Sequence, residues 1–192
     1  MRTIFIDNFD LFTNSLAHEF ENKGCEVIVL KNNIDLKQFD SNLKKFKADV
    51  IVISDGPGSL ENSGNSASII RAYAGKIPIF GIGLGHYCII SAFEGSASKT
   101  PILHGKSVKI THDGKTIFKK IKNPFTAGVY SSMSALEVPY AMEVSARYEN
   151  DNVIGIRHKE YFIEGINFHP ESLLTVSGSA IIDNLIDEVK GH

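Results

Sequence analysis

A histidine and a glutamate stand two residues apart in the segment FHPES (168–172). In an extended chain the side chains at i and i+2 point the same way, so Glu171 could orient and polarise the imidazole of His169. Such an imidazole is suited to act as a general base on a thiol or hydroxyl nucleophile. Two alternatives stay open at this point: a capping glutamate beside a surface histidine, or a metal pair, although no third ligand is evident.

A glycine-rich turn, GIGLGH (81–86), follows the short apolar segment PIFGI (78–82). A dinucleotide-binding fingerprint is disfavoured there, because the sixth position is His86 instead of glycine and the turn lies mid-chain. A nucleophile elbow is a better interpretation, since that turn carries a reactive side chain at its apex between small residues. A tight turn that serves only close strand–helix packing is the remaining alternative.

The elbow interpretation assigns a role to each residue of the turn. Gly81 and Gly85 would be the small flanking residues, and the backbone N–H of Leu84 would stabilise a developing oxyanion. The apex is Gly83, which has no side chain with which to attack. The turn therefore predicts a site built for a nucleophile that the chain lacks.

Strand and helix patterns alternate in the first half of the chain, which predicts right-handed crossovers and a parallel sheet. The unbroken apolar run DVIVI (49–53) predicts a strand buried on both faces. The predicted strands are 3–6, 26–30, 49–53 and 78–82, and the predicted helices are one with the stripe Phe12, Leu16 and Phe20, then 34–46, 66–75 and one after the glycine turn.

The second half of the chain predicts hairpins and a closing helix. Its strand-like segments are 106–112, 141–148, 152–158 and 161–168, and the helix has the apolar stripe Ile181, Ile182, Leu185, Ile186 and Val189. We expect one α/β domain over residues 1–192, with a mainly parallel sheet and an antiparallel extension. Ligands bind beyond the carboxyl ends of parallel strands, so residues 7–10, SDGPG (54–58), the glycine turn and FHPES should converge.

Composition disfavours several classes of protein. The 192-residue chain has a formal net charge of −2 and only short lysine clusters, so nucleic acid is not an expected partner. The two cysteines, Cys25 and Cys88, predict a reducing compartment instead of a disulfide framework. Neither a secretory signal nor a membrane-spanning run is expected from the sequence, which favours a cytoplasmic protein.

Five segments, DNFD, SDGPG, GIGLGH, ILHGKSVKITHDG and GINFHPES, together resemble the class I glutamine amidotransferases in order and spacing. The resemblance runs from Asp7 to about Gly178 and is closest to the small subunits of anthranilate synthase and aminodeoxychorismate synthase. It implies an open, flavodoxin-like sheet without cofactor or metal, and glutamine hydrolysis by a Cys–His–Glu triad. It also implies a partner, the component I-type large subunit, which aminates chorismate with the released ammonia.

The resemblance implies roles for individual residues. The triad histidine and glutamate correspond to His169 and Glu171, while Gly83 stands at the nucleophile position. The family's oxyanion segment SPGPG is SDGPG here, and the implied oxyanion positions are Gly56 and Leu84.

The implied glutamine-binding positions are only partly kept. Tyr87 replaces a glutamine that helps to hold the substrate, and the family segment RYHSL is VYSSM, with Val129 and Ser131 departing from it. The full set of implied substrate positions is Gly56, Pro57, Gly58, Tyr87, Ser132 and Met133. Because several departures surround one pocket, the pattern indicates a naturally degenerate site.

The leading functional hypothesis is a subunit that has lost glutamine hydrolysis and supports a partner that uses free ammonia. Without a thiolate at position 83, His169 has no proton to accept. One alternative is residual hydrolysis through Cys88 or an activated water, although Cys88 should lie on another helix face, roughly 7.5 Å along the axis. Further alternatives are a small-molecule sensor that uses the remodelled pocket, and a purely structural protein.

Overall fold

The computed structural model describes residues 1–149 and 151–192, and for residues 101–104 it describes the backbone only. Within this part of the chain, a nine-stranded sheet is flanked by helices. The strands are β1 (Arg2–Asp7), β2 (Glu26–Lys31), β3 (Val50–Ile53), β4 (Ile79–Ile82), β5 (Ser96–His112), β6 (Phe125–Glu137), β7 (Met142–Tyr148), β8 (Asn152–His158) and β9 (Ile163–Ile166). The helices are α1 (Thr13–Asn22), α2 (Leu36–Phe46), α3 (Ser66–Tyr73), α4 (Leu84–Ala92) and α5 (Gly178–Lys190).

The strand order across the sheet is β2-β1-β3-β4-β9-β8-β7-β5-β6. The first five strands of this order pair in parallel, and the rest pair antiparallel, which confirms the predicted α/β fold with an antiparallel extension. The placement of 161–168 among the hairpins was wrong in one respect. Its strand, β9, pairs antiparallel with β8 but in parallel with β4, because the chain re-enters the parallel part of the sheet there.

Strand β6 was not predicted from the sequence. Its residues, FTAGVYSSMSALE, include glycine, serines and alanines without a regular apolar alternation. The strand lies at the edge of the sheet and pairs with β5, where side chains of low strand preference are tolerated. Strand β5 begins at Ser96, well before its predicted start at residue 106. The predicted segment ILHGK lies partly in residues 101–104, whose side chains the structure does not describe.

Two apolar cores cover the two faces of the sheet. Side chains alternate along β1, so Phe5 packs in the core under α1 and α5, while Ile4 and Ile6 pack in the core under α2, α3 and α4. The four residues of β3 are all buried, which confirms the expectation of a strand covered on both faces. Among the helices that the structure describes, none has the length and apolar character to cross a membrane.

Candidate active site

The loops that follow β1, β3, β4 and β9 meet at one edge of the sheet. Asn8 joins the first two loops, because its backbone N–H and side-chain amide donate to Ser54 Oγ and the Ser54 carbonyl at 3.0 and 2.7 Å. The N–H of Gly83 donates to the carbonyl of Ile166 at 2.9 Å. A Cβ on Gly56 would lie 2.5 Å from Asn8, so only glycine allows this close approach of the loops.

His169 lies just beyond β9, and its backbone is fixed to β6. Its N–H donates to the carbonyl of Gly128 at 3.0 Å, and its own carbonyl accepts from the Thr175 hydroxyl at 2.7 Å. The rings of Phe12 and Tyr130 approach the imidazole edge-on, with centroids 6.3 and 5.0 Å away. The His169 side chain is only 3% exposed, so the imidazole is held in one orientation with little access to water.

The predicted contact between His169 and Glu171 is present, with Nδ1 2.6 Å from Oε1. Its physical reason differs from the extended geometry expected from the sequence. The chain turns here, and the N–H of Ser172 donates to the His169 carbonyl at 3.2 Å. The turn therefore brings the carboxylate back onto the imidazole, where the Glu171 side chain is 6% exposed.

The second nitrogen of His169 has a partner that was not predicted. Nε2 lies 3.0 Å from Oδ2 of Asp55, and Oδ1 of the same carboxylate accepts the backbone N–H of Leu84 at 2.6 Å. Leu84 is the first residue of α4, and a helix N-terminus favours an anion because its N–H groups and dipole point outward. Asp55 therefore bridges the imidazole and the helix that the glycine turn begins.

Gly83 leaves room for this carboxylate. Its φ of 55° and ψ of −113° form a backbone conformation that residues with a side chain rarely adopt. A Cβ built on Gly83 would lie 2.2 Å from both Cγ and Oδ1 of Asp55. The carboxylate of Asp55 thus occupies the space into which a side chain at position 83 would extend.

The two carboxylates set the charge of the imidazole. Burial alone would lower the pKa of His169, but its hydrogen bonds to Asp55 and Glu171 outweigh burial and raise the pKa to about 10. At neutral pH the imidazole is therefore charged and donates one N–H to each carboxylate. An imidazolium has no free lone pair, so in this arrangement His169 has no capacity to act as a general base.

A third carboxyl, that of Asp10, lines the same cavity. It accepts the N–H of Phe12 at 3.0 Å, and burial together with the negative charge of Asp55 raises its pKa to about 6. The loop that carries it is fixed by the buried Asp7, whose Oδ1 accepts the Asp10 N–H at 3.1 Å and the hydroxyl of Thr13 at 3.0 Å.

These groups face a cavity of about 510 Å³, a size typical of small-molecule sites. His169 lines it, as do the other expected oxyanion and substrate positions: Gly56, Pro57, Gly58, Leu84, Tyr87, Ser132 and Met133. Gly83 and Glu171 are not among the lining residues. Gly83 lies beside Asp55, and Glu171 is hydrogen-bonded to His169, and both of these neighbours line the cavity. The structure thus brings the predicted positions together, while their roles in binding stay predictions.

Tyr87 is fixed by hydrogen bonds on both sides of its hydroxyl. The hydroxyl donates to the Met133 carbonyl at 2.6 Å and accepts from the side-chain amide of Asn167 at 2.7 Å. The residue is 1% exposed, and burial raises the pKa of its phenol. Tyr87 therefore joins α4 to β6 and to the end of β9, and it fills part of the cavity wall.

Cys88, the candidate replacement nucleophile, is fully buried in the core that contains α3 and α4. It does not line the cavity, and burial raises the pKa of its thiol to about 12. A buried, protonated thiol is a poor nucleophile. Within the residues described, no group of three or more His, Cys, Asp or Glu side chains is placed to hold a metal ion.

The family profile described as glutamine amidotransferase class-I matches residues 4–189. This chain belongs to the class I glutamine amidotransferase family. It is 42% identical over 178 residues to anthranilate synthase component 2 of Methanocaldococcus jannaschii, covering 92% of this chain and 87% of that relative. It is 36% identical over 187 residues to aminodeoxychorismate synthase component 2 of Escherichia coli, covering 95% of this chain and 98% of that relative.

A solved structure from Thermoplasma acidophilum, described as a GMP synthase subunit, has the same fold. Its TM-score to this chain is 0.87, and the match covers 100% of this chain and 94% of the other at 22% sequence identity. The resemblance inferred from the sequence motifs is therefore confirmed for the family and for the fold.

Asp55 and Asp10 lie in two segments that were expected to converge at the site, but no role was predicted for either residue. The available signal for Asp55 was the departure of SDGPG from the family segment SPGPG, close to a second departure at Gly83. Each departure was visible alone, but their contact was not, because the two residues belong to different loops. Asp10 gave no signal beyond its place in DNFD.

Proposed function

We propose that this chain is a component II-type subunit of anthranilate or aminodeoxychorismate synthase that does not itself hydrolyse glutamine. It would act as a scaffold or activator for a component I-type partner that aminates chorismate with free ammonia. The observation that carries this proposal is the carboxylate of Asp55, which occupies the space that a side chain at position 83 would enter and contacts both His169 and the N–H of Leu84.

The chemistry of the family's route supports the loss of activity. Amide hydrolysis by that route needs a thiol, a base that takes its proton to form the thiolate, and a free donor for the oxyanion. Gly83 supplies no thiolate, the charged His169 supplies no base, and the N–H of Leu84 already donates to Asp55. In a comparable nucleophilic enzyme, removing one triad member alone leaves only about 10³–10⁴-fold acceleration over water.

Exposed apolar side chains support a partner surface beside the cavity. Phe9, Leu11 and Phe12 line the cavity from the loop after β1 and are 52%, 89% and 44% exposed. Leu173 and Val176 follow His169 in the loop before α5 and are 100% and 91% exposed. Exposed apolar residues in two loops that also carry cavity-lining residues favour a protein interaction site there. We define these five residues as the cavity rim and propose that it contacts the component I-type partner.

The proposal also covers the pathway and the location of the protein. The relatives include both anthranilate and aminodeoxychorismate synthase components, so both pathways stay in the proposal. The proposed location is the cytoplasm, which is supported by two cysteines that form no disulfide and are both buried.

A second candidate function is a small-molecule sensor. The cavity of about 510 Å³ favours it, because Tyr87 and Asp55 have changed the chemistry of its wall. This candidate predicts thermal stabilisation of the purified chain by a metabolite other than glutamine. The same screen with glutamine as ligand is its control.

The proposed role in a synthase complex is tested by product formation from chorismate with the co-purified partner, supplied in turn with glutamine and with an ammonium salt. We expect turnover with ammonium alone, at a higher rate when this chain is present than with the partner alone. Turnover supported by glutamine would contradict the loss of hydrolysis. Recovery of no chorismate-using partner in the co-purification would contradict the role in a complex.

A further inference from the structure

We propose that Asp55 is an internal substitute for the nucleophile's thiolate: its carboxylate supplies the negative charge that His169 and the N-terminus of α4 require, and it blocks the site. This inference deepens the proposed function and rests on it. It concerns positions 55 and 83, because the carboxylate of Asp55 and a side chain at position 83 would occupy the same space. It also accounts for the persistence of His169 and Glu171 in a chain that lacks the nucleophile.

The contacts of Asp55 match those that an anionic nucleophile would make at this place. Its Oδ2 lies 3.0 Å from His169 Nε2, as a thiolate would lie beside an imidazolium. Its Oδ1 accepts the N–H of Leu84 at 2.6 Å, which is the donor expected for the oxyanion. One carboxylate therefore fills both the nucleophile position and the oxyanion position, and no carbonyl group of a substrate can enter without displacing it.

The charge balance explains why the histidine and glutamate remain. His169 is 3% exposed and lies between two carboxylates, those of Asp55 and Glu171, in contact with both. A buried cation requires an anionic partner, and a buried carboxylate likewise requires a donor. Removing any one of the three side chains leaves another without its partner, so the three are retained as a structural unit.

The geometry also makes Asp55 a barrier to restoring the nucleophile. A Cβ on Gly83 would lie 2.2 Å from Asp55 Cγ and 2.7 Å from Asp55 Cβ, so a cysteine there must displace the aspartate from His169. The displaced carboxylate would then compete with the new thiolate for the same imidazolium. A cysteine at position 83 should become an activated thiolate only when Asp55 is also replaced.

The first experiment compares Gly83→Cys with the double variant Asp55→Ala/Gly83→Cys. The readout is the rate of alkylation by iodoacetamide at pH 6.5, located by mass spectrometry; the buried Cys25 and Cys88 serve as internal references. We expect alkylation at position 83 at least about tenfold faster in the double variant, because its thiol would be stabilised as a thiolate by His169. Equal rates in the two variants would overturn the inference. Asp55→Pro/Gly83→Cys, which carries the family's residue at position 55, replaces the double variant if that one does not fold.

The second experiment tests whether a free carboxylate can replace the missing one. Thermal unfolding of Asp55→Ala is measured with increasing sodium formate, and with sodium chloride at equal ionic strength. We expect saturable stabilisation by formate beyond that by chloride in the variant, and none in the wild-type chain. Equal responses of the variant and the wild type would overturn the inference. Neither experiment measures glutamine turnover. Glutaminase activity of the wild-type chain would therefore refute the proposed function, and this outcome can be distinguished from a failure of either experiment.

Discussion

The carboxylate of Asp55 and the imidazole of His169 lie 3.0 Å apart, on the spot where a side chain at position 83 would project. The pair has the charges of a thiolate–imidazolium pair but lacks its reactivity, because a carboxylate is a much weaker nucleophile towards an amide. The surrounding fold is that of the class I glutamine amidotransferases. This single relationship connects the absence of a side chain at position 83 with the contacts of His169 and Glu171.

The stability of the chain should fall as the pH rises above neutrality. His169 faces Asp55 and Glu171, with Asp10 nearby, and its pKa in the folded chain is about 10 against an ordinary value of 6.5. The folded state therefore binds the proton more tightly than the unfolded state. The resulting stabilisation is complete below pH 6.5 and is lost progressively as the pH approaches 10, by at most about 5 kcal/mol.

Urea unfolding at several pH values between 6 and 10 measures this effect. His169→Gln is the control, because glutamine does not titrate, while the titratable groups that do not contact His169 are unchanged. We expect the free energy of unfolding to decline more steeply with pH in the wild type. Parallel pH profiles would show that His169 carries no such proton.

Replacing Tyr87 by phenylalanine should destabilise the chain by about 1–3 kcal/mol. The change deletes the hydroxyl that bonds the Met133 carbonyl and the Asn167 amide, and leaves both groups without that partner. The melting temperature should fall by several degrees in a calorimetric scan. Tyr140→Phe is the matched control, since Tyr140 is 95% exposed and its loss of a hydroxyl should change stability by less than about 0.5 kcal/mol. Equal effects at the two positions would contradict the structural role of Tyr87.

Charged substitutions on the cavity rim should weaken binding of the proposed partner. Leu11→Asp and Leu173→Asp place a carboxylate at side chains that are 89% and 100% exposed, so folding should be unaffected. We expect each variant to bind the component I-type partner at least about tenfold more weakly, because desolvated apolar contacts dominate such interfaces. Leu136→Asp, at a 66% exposed position in β6, is the control. Unchanged binding of both rim variants, measured by titration calorimetry, would place the partner elsewhere.

Cys88 should not react with a glutamine-analogue electrophile in the folded chain. Its thiol is fully buried, and burial raises its pKa to about 12, so little thiolate exists at neutral pH. Mass spectrometry after incubation of the folded chain with this electrophile should show no adduct at Cys88. As a control, iodoacetamide should label Cys88 when the chain is unfolded in denaturant. An adduct at Cys88 in the folded protein would revive the alternative of residual hydrolysis.

Much of the parallel half of the fold was predictable because its central strands β1, β3 and β4 are buried and appear in the sequence as short apolar runs. Val50–Ile53 is the clearest example. Strand β6 was not predictable in this way, because an edge strand needs no such run and its serines and glycine carry no periodic signal. The parallel pairing of β9 with β4 was also hidden, since strand partners depend on tertiary topology.

The candidate site was predictable where a motif keeps its residues in order, as for His169 and Glu171. Their contact was expected from extended backbone but is formed by a turn. The role of Asp55 was not predictable, because it depends on how close this residue lies to Gly83 on another loop. A Cβ built on Gly83 would lie 2.2 Å from the Asp55 carboxylate. The sequence shows that position 83 has no side chain. The structure is needed to show that the Asp55 carboxylate occupies the adjacent space.

The most direct test of the central claim is glutamate formation from glutamine by this chain bound to its partner, with chorismate present. The proposed function predicts no glutamate above the rate seen with the partner alone. Glutamate that forms in proportion to the amount of this chain, and that disappears with His169→Ala, would contradict it.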